Sequence, residues 1–401
     1  MKFILNKYNI LIILYLVTPY VVNIKTVDIV GPQWLYLSLI NILSFSFLVF
    51  KGELTKFKLH KEILYFFFFF IFSALSIFKA YNIEAALVTL NEYFIITMSL
   101  FGFYLLVKSP NTNISFEIIL TILIFLDTTY STILSVKDII NETFQYRSLN
   151  YAGFGANGNI TSFAILYKIP FIFYFFLKTK NLSLKIVHLY IIISATFLIV
   201  IFGSRAAILS YFLILLIISI KSIFSNKIKS FTPILLVTLL TFFLTSSSLQ
   251  SADSFDRIST LQTFENDTSI SARLRYYSQA IQSFTENPFF GIGIGNWKIE
   301  SIKLDKENLI DYIIPYHAHN DFLQILAESG IFAFIFYALF FTSFAFFLFK
   351  RVKVDFYFFA ACSLIIYIID SSFNFPIARP ISFIFLIVLI SYSLNINEKT
   401  P

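Results

Sequence analysis

The sequence predicts an all-α integral membrane protein of about 12 transmembrane helices, with one large extracytoplasmic loop that itself contains helices. Three observations carry this. The 401 residues are 58% hydrophobic and 13% charged, with 53 phenylalanines, an apolar content beyond that of soluble domains. Apolar runs close to the roughly 20 residues needed to cross a hydrocarbon core recur from Tyr8 almost to the C-terminus. Lysines collect in alternate short connections between those runs, the asymmetry expected of cytoplasmic loops.

The runs fall near 8–24, 33–50, 63–78, 87–107, 114–136, 158–177, 186–202, 206–220, 231–248, 322–349, 356–369 and 381–394. The first follows Lys2 and Lys7 with no small-residue cleavage site after it, so it reads as an uncleaved span. Lys51, Lys56, Lys58 and Lys61 separate the second from the third, where Phe66 to Phe70 reads as lipid-facing material. Glu92, Asp127 and Lys168 are charges inside the fourth, fifth and sixth runs. Lys178, Lys180 and Lys185, then Lys221, Lys227 and Lys229, then Lys350, Arg351 and Lys353 mark later inside connections. An even count with basic inside loops puts both termini in the cytoplasm and makes 1–401 one polytopic domain, with the loop 250–320 outside, inserted before the tenth span. The single cysteine, Cys362, excludes an internal disulfide and a cysteine-based metal cluster.

Six of the seven arginines, Arg147, Arg205, Arg257, Arg273, Arg275 and Arg379, fall on the predicted outer side. A guanidinium binds phosphate or carboxylate through a planar fork, so this bias points to an anion handled on that face; six unrelated surface residues are the plain alternative. Within the outer loop, Ser271 can cap a helix with Leu274, Tyr277, Ile281 and Phe284 at helical spacing, ending at Asn287-Pro288. Tyr276, Tyr277 and Phe284 suit it to the membrane interface.

The segment Tyr316-His317-Ala318-His319-Asn320-Asp321 leads straight into the tenth span. A helix from there to Phe349 would be about 45 Å long, so its first turns project outward or line a cavity. On it, His317, Asp321, Gln324 and Glu328 would share one polar stripe. Histidine suits proton transfer near neutral pH, and a helix N-terminus attracts anions. Headgroup binding or capping is the plainer role for the pair; zinc is a third, for which a two-residue spacing on one helix is awkward. Gly203-Ser204-Arg205 is a tight break between two spans, and its arginine needs an anionic partner, substrate or headgroup. The run Asn287-Pro288-Phe289-Phe290-Gly291-Ile292-Gly293-Ile294-Gly295 lacks the strand–helix frame of a nucleotide loop and reads as a turn through which backbone approaches a ligand or a neighbouring helix. Asp370 and Arg379 flank the last outer loop and can pair with each other. Glu92, Asp127 and Lys168 keep an ion path, hence a transporter, open.

Taken together, the Gly-Ser-Arg break, the glycine run and the pattern His319-Asn320, nine residues, Gly330 resemble the O-antigen ligase and polymerase superfamily of bacterial membrane glycosyltransferases, over roughly residues 150–390. The glycine that the pattern places three residues later is Ala333 here. The resemblance implies a glycan donor on undecaprenyl pyrophosphate, an acceptor sugar hydroxyl on lipid A-core or a growing glycan, and metal-independent transfer with no bound cofactor, at the periplasmic face of the inner membrane. Membrane lipids are its surroundings and nucleic acid is not a partner. It assigns the pyrophosphate to Arg205 and to Arg273 or Arg275, and assistance of acceptor attack, or orientation of donor and acceptor, to His319. His317, which lies outside the matched pattern, Asn320, Gln324 and Arg379 are further substrate-binding candidates by their place on the same face. Ligase is the first reading; repeat-unit polymerase is the second, and a lipid-linked glycan transporter or flippase is the reading from another class.

Overall fold

A computed structural model describes residues 6–21, 30–54, 59–141, 153–155, 157–248, 268–306 and 314–396. All regular structure among them is helical. In chain order the helices are α1 (Lys7–Val17), α2 (Gly31–Phe50), α3 (Lys61–Leu75), α4 (Ile83–Lys108), α5 (Phe116–Ile140), α6 (Gly158–Leu166), α7 (Ile169–Lys178) and α8 (Leu182–Phe202). They continue with α9 (Arg205–Phe224), α10 (Ile228–Ser248), α11 (Thr268–Glu286), α12 (Trp297–Leu304), α13 (Asp321–Phe349), α14 (Asp355–Phe373) and α15 (Pro380–Asn395). Polar caps open the apolar runs: the Asn6, Asn82, Ser115 and Asn181 side chains accept from backbone amides of α1, α4, α5 and α8.

Each of the twelve predicted runs coincides, in its described residues, with one helix or, for the sixth, two, and among the described residues ten candidate spans are long and apolar enough to cross a membrane. The first and last runs fall short of that length, at 11 residues in α1 and 16 in α15. The sixth run is two helices, because Pro170 in the first turn of α7 starts a new helix after a turn at Tyr167–Lys168.

The chain divides into two compact units. One contains α5 to α10 and most of α14. In it Phe116 packs edge-on against Phe171 and Phe356, and Lys168 Nζ sits 2.5 Å from Asp127 Oδ2 with both side chains buried. The two intramembrane charges thus neutralise each other. Asp370 accepts a hydrogen bond from the Tyr167 hydroxyl in the same unit.

The other unit contains α1 to α4, α11, α12, nearly all of α13, and α15. Every residue of α15 is buried, which accounts for a helix apolar on all sides. The Phe66–Phe70 run is not uniformly lipid-facing as the sequence suggested. Phe66 and Phe69, one helical turn apart, are core residues packed on Phe340 and Tyr337, while Phe67 and Phe68 are 41% exposed. Arg147 and Arg257 lie outside the described residues.

Candidate functional site

The tenth predicted span is not one straight helix. Gly330, at φ 75° and ψ −173°, breaks α13 after its third turn. A break strands backbone groups on both sides, and within a membrane each needs a partner. The glycine run supplies them. Ile292 N–H donates to the Ala327 carbonyl at 2.9 Å and Gly293 N–H to the Glu328 carbonyl at 3.0 Å; in return Ile331 N–H donates to the Pro288 carbonyl at 2.9 Å. Such backbone contact leaves no room for side chains. A Cβ on Gly330 would meet the Phe289 oxygen at 2.2 Å, and one on Gly291 the Ala327 oxygen at 2.3 Å. The glycine run is therefore a turn that approaches a neighbouring helix, one of the two uses its sequence allowed. Gly330→Ala is expected to destabilise the fold by about 2–4 kcal/mol, through the clash and the positive φ together. Thermal unfolding of the detergent-solubilised protein measures it, and an unchanged Tm would show that the break is not required.

Because α13 starts at Asp321, His317 is not on the helix and the four-residue stripe is not a helical one. Asp321, Gln324 and Glu328 do share a face, and that face lines a cavity of about 630 Å³ into which the bend before the helix also brings His317 and His319. One backbone conformation and four hydrogen bonds set the bend. His319 adopts the left-handed conformation, φ 56°. The Tyr277 hydroxyl of α11 lies 3.1 Å from the His319 carbonyl and 2.9 Å from that of Ser372. Asn320 caps α13, its side-chain oxygen accepting from Leu323 N–H at 3.0 Å, and Gln324 Oε1 accepts from Ala318 N–H at 3.1 Å. Two residues predicted to touch substrate, Asn320 and Gln324, thus hold the bend by one oxygen each.

The far wall comes from the turn before α15. Ile377 N–H donates to Asp321 Oδ2 at 3.2 Å, and Arg379 and Phe375 face the cavity. Glu328, buried at its inner end, accepts from Trp297 N–H through Oε1 at 2.8 Å. Lys298 and Glu92 complete the charged lining. Burial lowers the pKa of His317 to about 3, aided by the Arg379 charge, and that of His319 to about 4, aided by Arg273. Both imidazoles are therefore neutral at pH 7. The His319 Nδ1 is buried without a hydrogen-bond partner.

Of the two loop arginines, Arg275 forks onto buried Asp305, with Nε 2.5 Å from Oδ1 and Nη2 3.0 Å from Oδ2; Gln279 also donates to that carboxylate. Arg273 is the one whose charge acts on His319 and Tyr277. Arg205 is in the unit of α5 to α10, partly buried as the first residue of α9, after Gly203 has closed α8 at φ 58°. Sequence reasoning missed Lys298 and Phe375. Lys298 stands three residues after the last glycine of the run and Phe375 four residues before Arg379, but neither residue type stands out in an apolar chain rich in lysine and phenylalanine.

No curated protein matches the chain. In this multi-pass membrane protein, residues 189–338, which include the Gly-Ser-Arg break, the glycine run and the His319 bend, match the model of the family described as O-antigen ligase.

Proposed function

We propose that the protein is a glycosyltransferase of the outer face of a bacterial inner membrane, which moves glycan from undecaprenyl pyrophosphate to a sugar hydroxyl. The observation that carries this reading is the cavity, where two neutral imidazoles meet Arg379 and Lys298, with the Arg273 charge close by, at the start of a membrane helix. Cations at such a place suit a pyrophosphate whose lipid tail stays in the bilayer. Pyrophosphate is a good leaving group, so charge stabilisation and alignment supply most of the catalysis needed. The acceptor oxygen bonds to the anomeric carbon, the carbon–oxygen bond to phosphate breaks, and its electron pair leaves with the pyrophosphate. A neutral His319 can accept the hydroxyl proton or orient the hydroxyl. The assignment of Arg205 to the donor rests on its motif alone. The lysine pattern supports cytoplasmic termini and a site on the periplasmic side.

Lipid A-core is the acceptor of the first reading and a growing glycan that of the second. The transporter reading is weakened by the Asp127–Lys168 pair, which closes two of its three intramembrane charges on each other. Purified protein given a defined lipid-pyrophosphate glycan and either acceptor should produce transferred glycan at an unchanged rate in excess chelator. Loss of transfer on chelation, restored by a divalent cation, would overturn the arginine-based mechanism. Absence of transfer to both acceptors, with glycan moved across proteoliposomes instead, would make the protein a transporter.

A further inference from the structure

One aromatic ring touches three of the cavity's polar groups. His317 stacks on Phe375 with ring centroids 4.0 Å apart and planes 13° apart. His319 meets the same ring edge-on, at 5.3 Å and 71°. The Arg379 guanidinium lies 4.9 Å from its centroid. Phe375 reaches this position from the short link between α14 and the 3-10 turn Pro376–Ala378, which is itself docked on the first residue of α13 through Ile377 and Asp321. Two of the segments that supply the site's polar groups, 317–321 and 375–379, therefore meet around this side chain.

We infer that Phe375 is the positioning residue of the site, a ring that sets the spacing and orientation of His317, His319 and Arg379 before donor binds. This rests on the reading of the cavity as the transfer site. The chemistry favours a ring there. A phenyl face attracts a guanidinium and packs flat against a neutral imidazole, yet offers no hydrogen-bonding atom, so holding the imidazoles consumes neither ring nitrogen. A polar side chain in its place would compete with substrate for those nitrogens. The ring also excludes water from one side of each imidazole, consistent with the low pKa values of both. An aliphatic side chain, without the flat face, would fill the space only in part, admitting water beside the imidazoles, and would neither fix ring planes nor hold the cation.

The test compares Phe375→Leu with Phe375→Tyr. Loss of the ring should lower kcat/KM for transfer on the order of 100-fold, the cost of misplacing catalytic groups by about an ångström, and tyrosine should recover most of that loss. Phe375→Met takes the place of leucine if the leucine variant does not fold. A ring that filled space without lying against the imidazoles would leave their titrations unmoved, so these are the second readout. In protein with labelled histidine, His317 and His319 signals, assigned against His60 and His188 variants, should shift upward toward about 6.5 when the ring is lost. A leucine or methionine variant with unchanged kcat/KM and unmoved titrations overturns the inference, and so does an equal loss in the tyrosine variant. Inactive His319→Ala beside fully active Phe375→Leu removes only the ring's role; full activity in both removes the site itself.

Discussion

Replacing His319 is expected to slow glycan transfer by two to four orders of magnitude, the range that a positioned proton-transfer group supplies. The choice of variant matters, because His319 holds a left-handed backbone conformation at φ 56°. Alanine there adds roughly 1 kcal/mol of backbone cost, whereas asparagine tolerates the conformation and keeps a hydrogen-bonding side chain. The two changes should nonetheless be equally slow, since neither supplies an imidazole. His317→Ala is expected to be milder, because the imidazole assigned to acceptor attack stays in place. The measurement is single-turnover transfer from a defined donor, normalised to folded protein. An asparagine variant with wild-type rate would show that position 319 contributes its backbone and not its ring.

The second large effect separates two arginines that stand two residues apart. Arg273→Lys should cost on the order of tenfold to a hundredfold in transfer with an unchanged Tm, because lysine keeps the charge near His319 but loses the planar fork that grips two phosphate oxygens. Arg275→Ala should do the reverse in kind. It leaves the buried carboxylate of Asp305 with only Gln279 of its two described side-chain partners. Stability should fall by about 2–3 kcal/mol, less than for a fully buried pair because Arg275 keeps 33% of its side chain exposed. Thermal unfolding and donor KM, measured on both variants, decide the matter. A stable, donor-defective Arg275 variant beside a fully active Arg273→Lys would exchange their roles.

Much of the fold was legible because the bilayer allows so few solutions. A run of apolar residues long enough to cross must be helical, and among the described residues every one of the twelve runs has its helix. Three features were hidden, each for a physical reason. Composition does not say which side of a helix faces lipid, so the Phe66–Phe70 run read as uniform although alternate faces differ. The break at Gly330 was hidden because a lone glycine in an apolar run is compatible with a helix, and only the glycine run about 40 residues upstream makes the break affordable. The difference between Arg273 and Arg275 was hidden because both lie in the first turns of one helix, and only Asp305, 30 residues further on, tells them apart. The site was better marked. His317, Asp321, Gln324 and Glu328 were grouped by helical spacing and do share a cavity, which His319 also lines, although His317 precedes the helix.

The backbone exchange at Gly330 makes the cavity a jointed structure. Asp321 to Ser329 forms a short lever whose hinge is clamped by amides and a carbonyl of the glycine run, and whose other end carries the His319 bend. The glycine run is itself anchored on the link between α3 and α4, where Ser76 accepts from Ile294 N–H and Asn82 exchanges hydrogen bonds with Asn296. A force or substitution at that link is therefore transmitted to the histidine without touching it. Substitutions at Ser76, at Asn82 and at Ala80, whose backbone lies against Gly293, are therefore expected to alter the angle at which the cavity is held, although none of the three lines it.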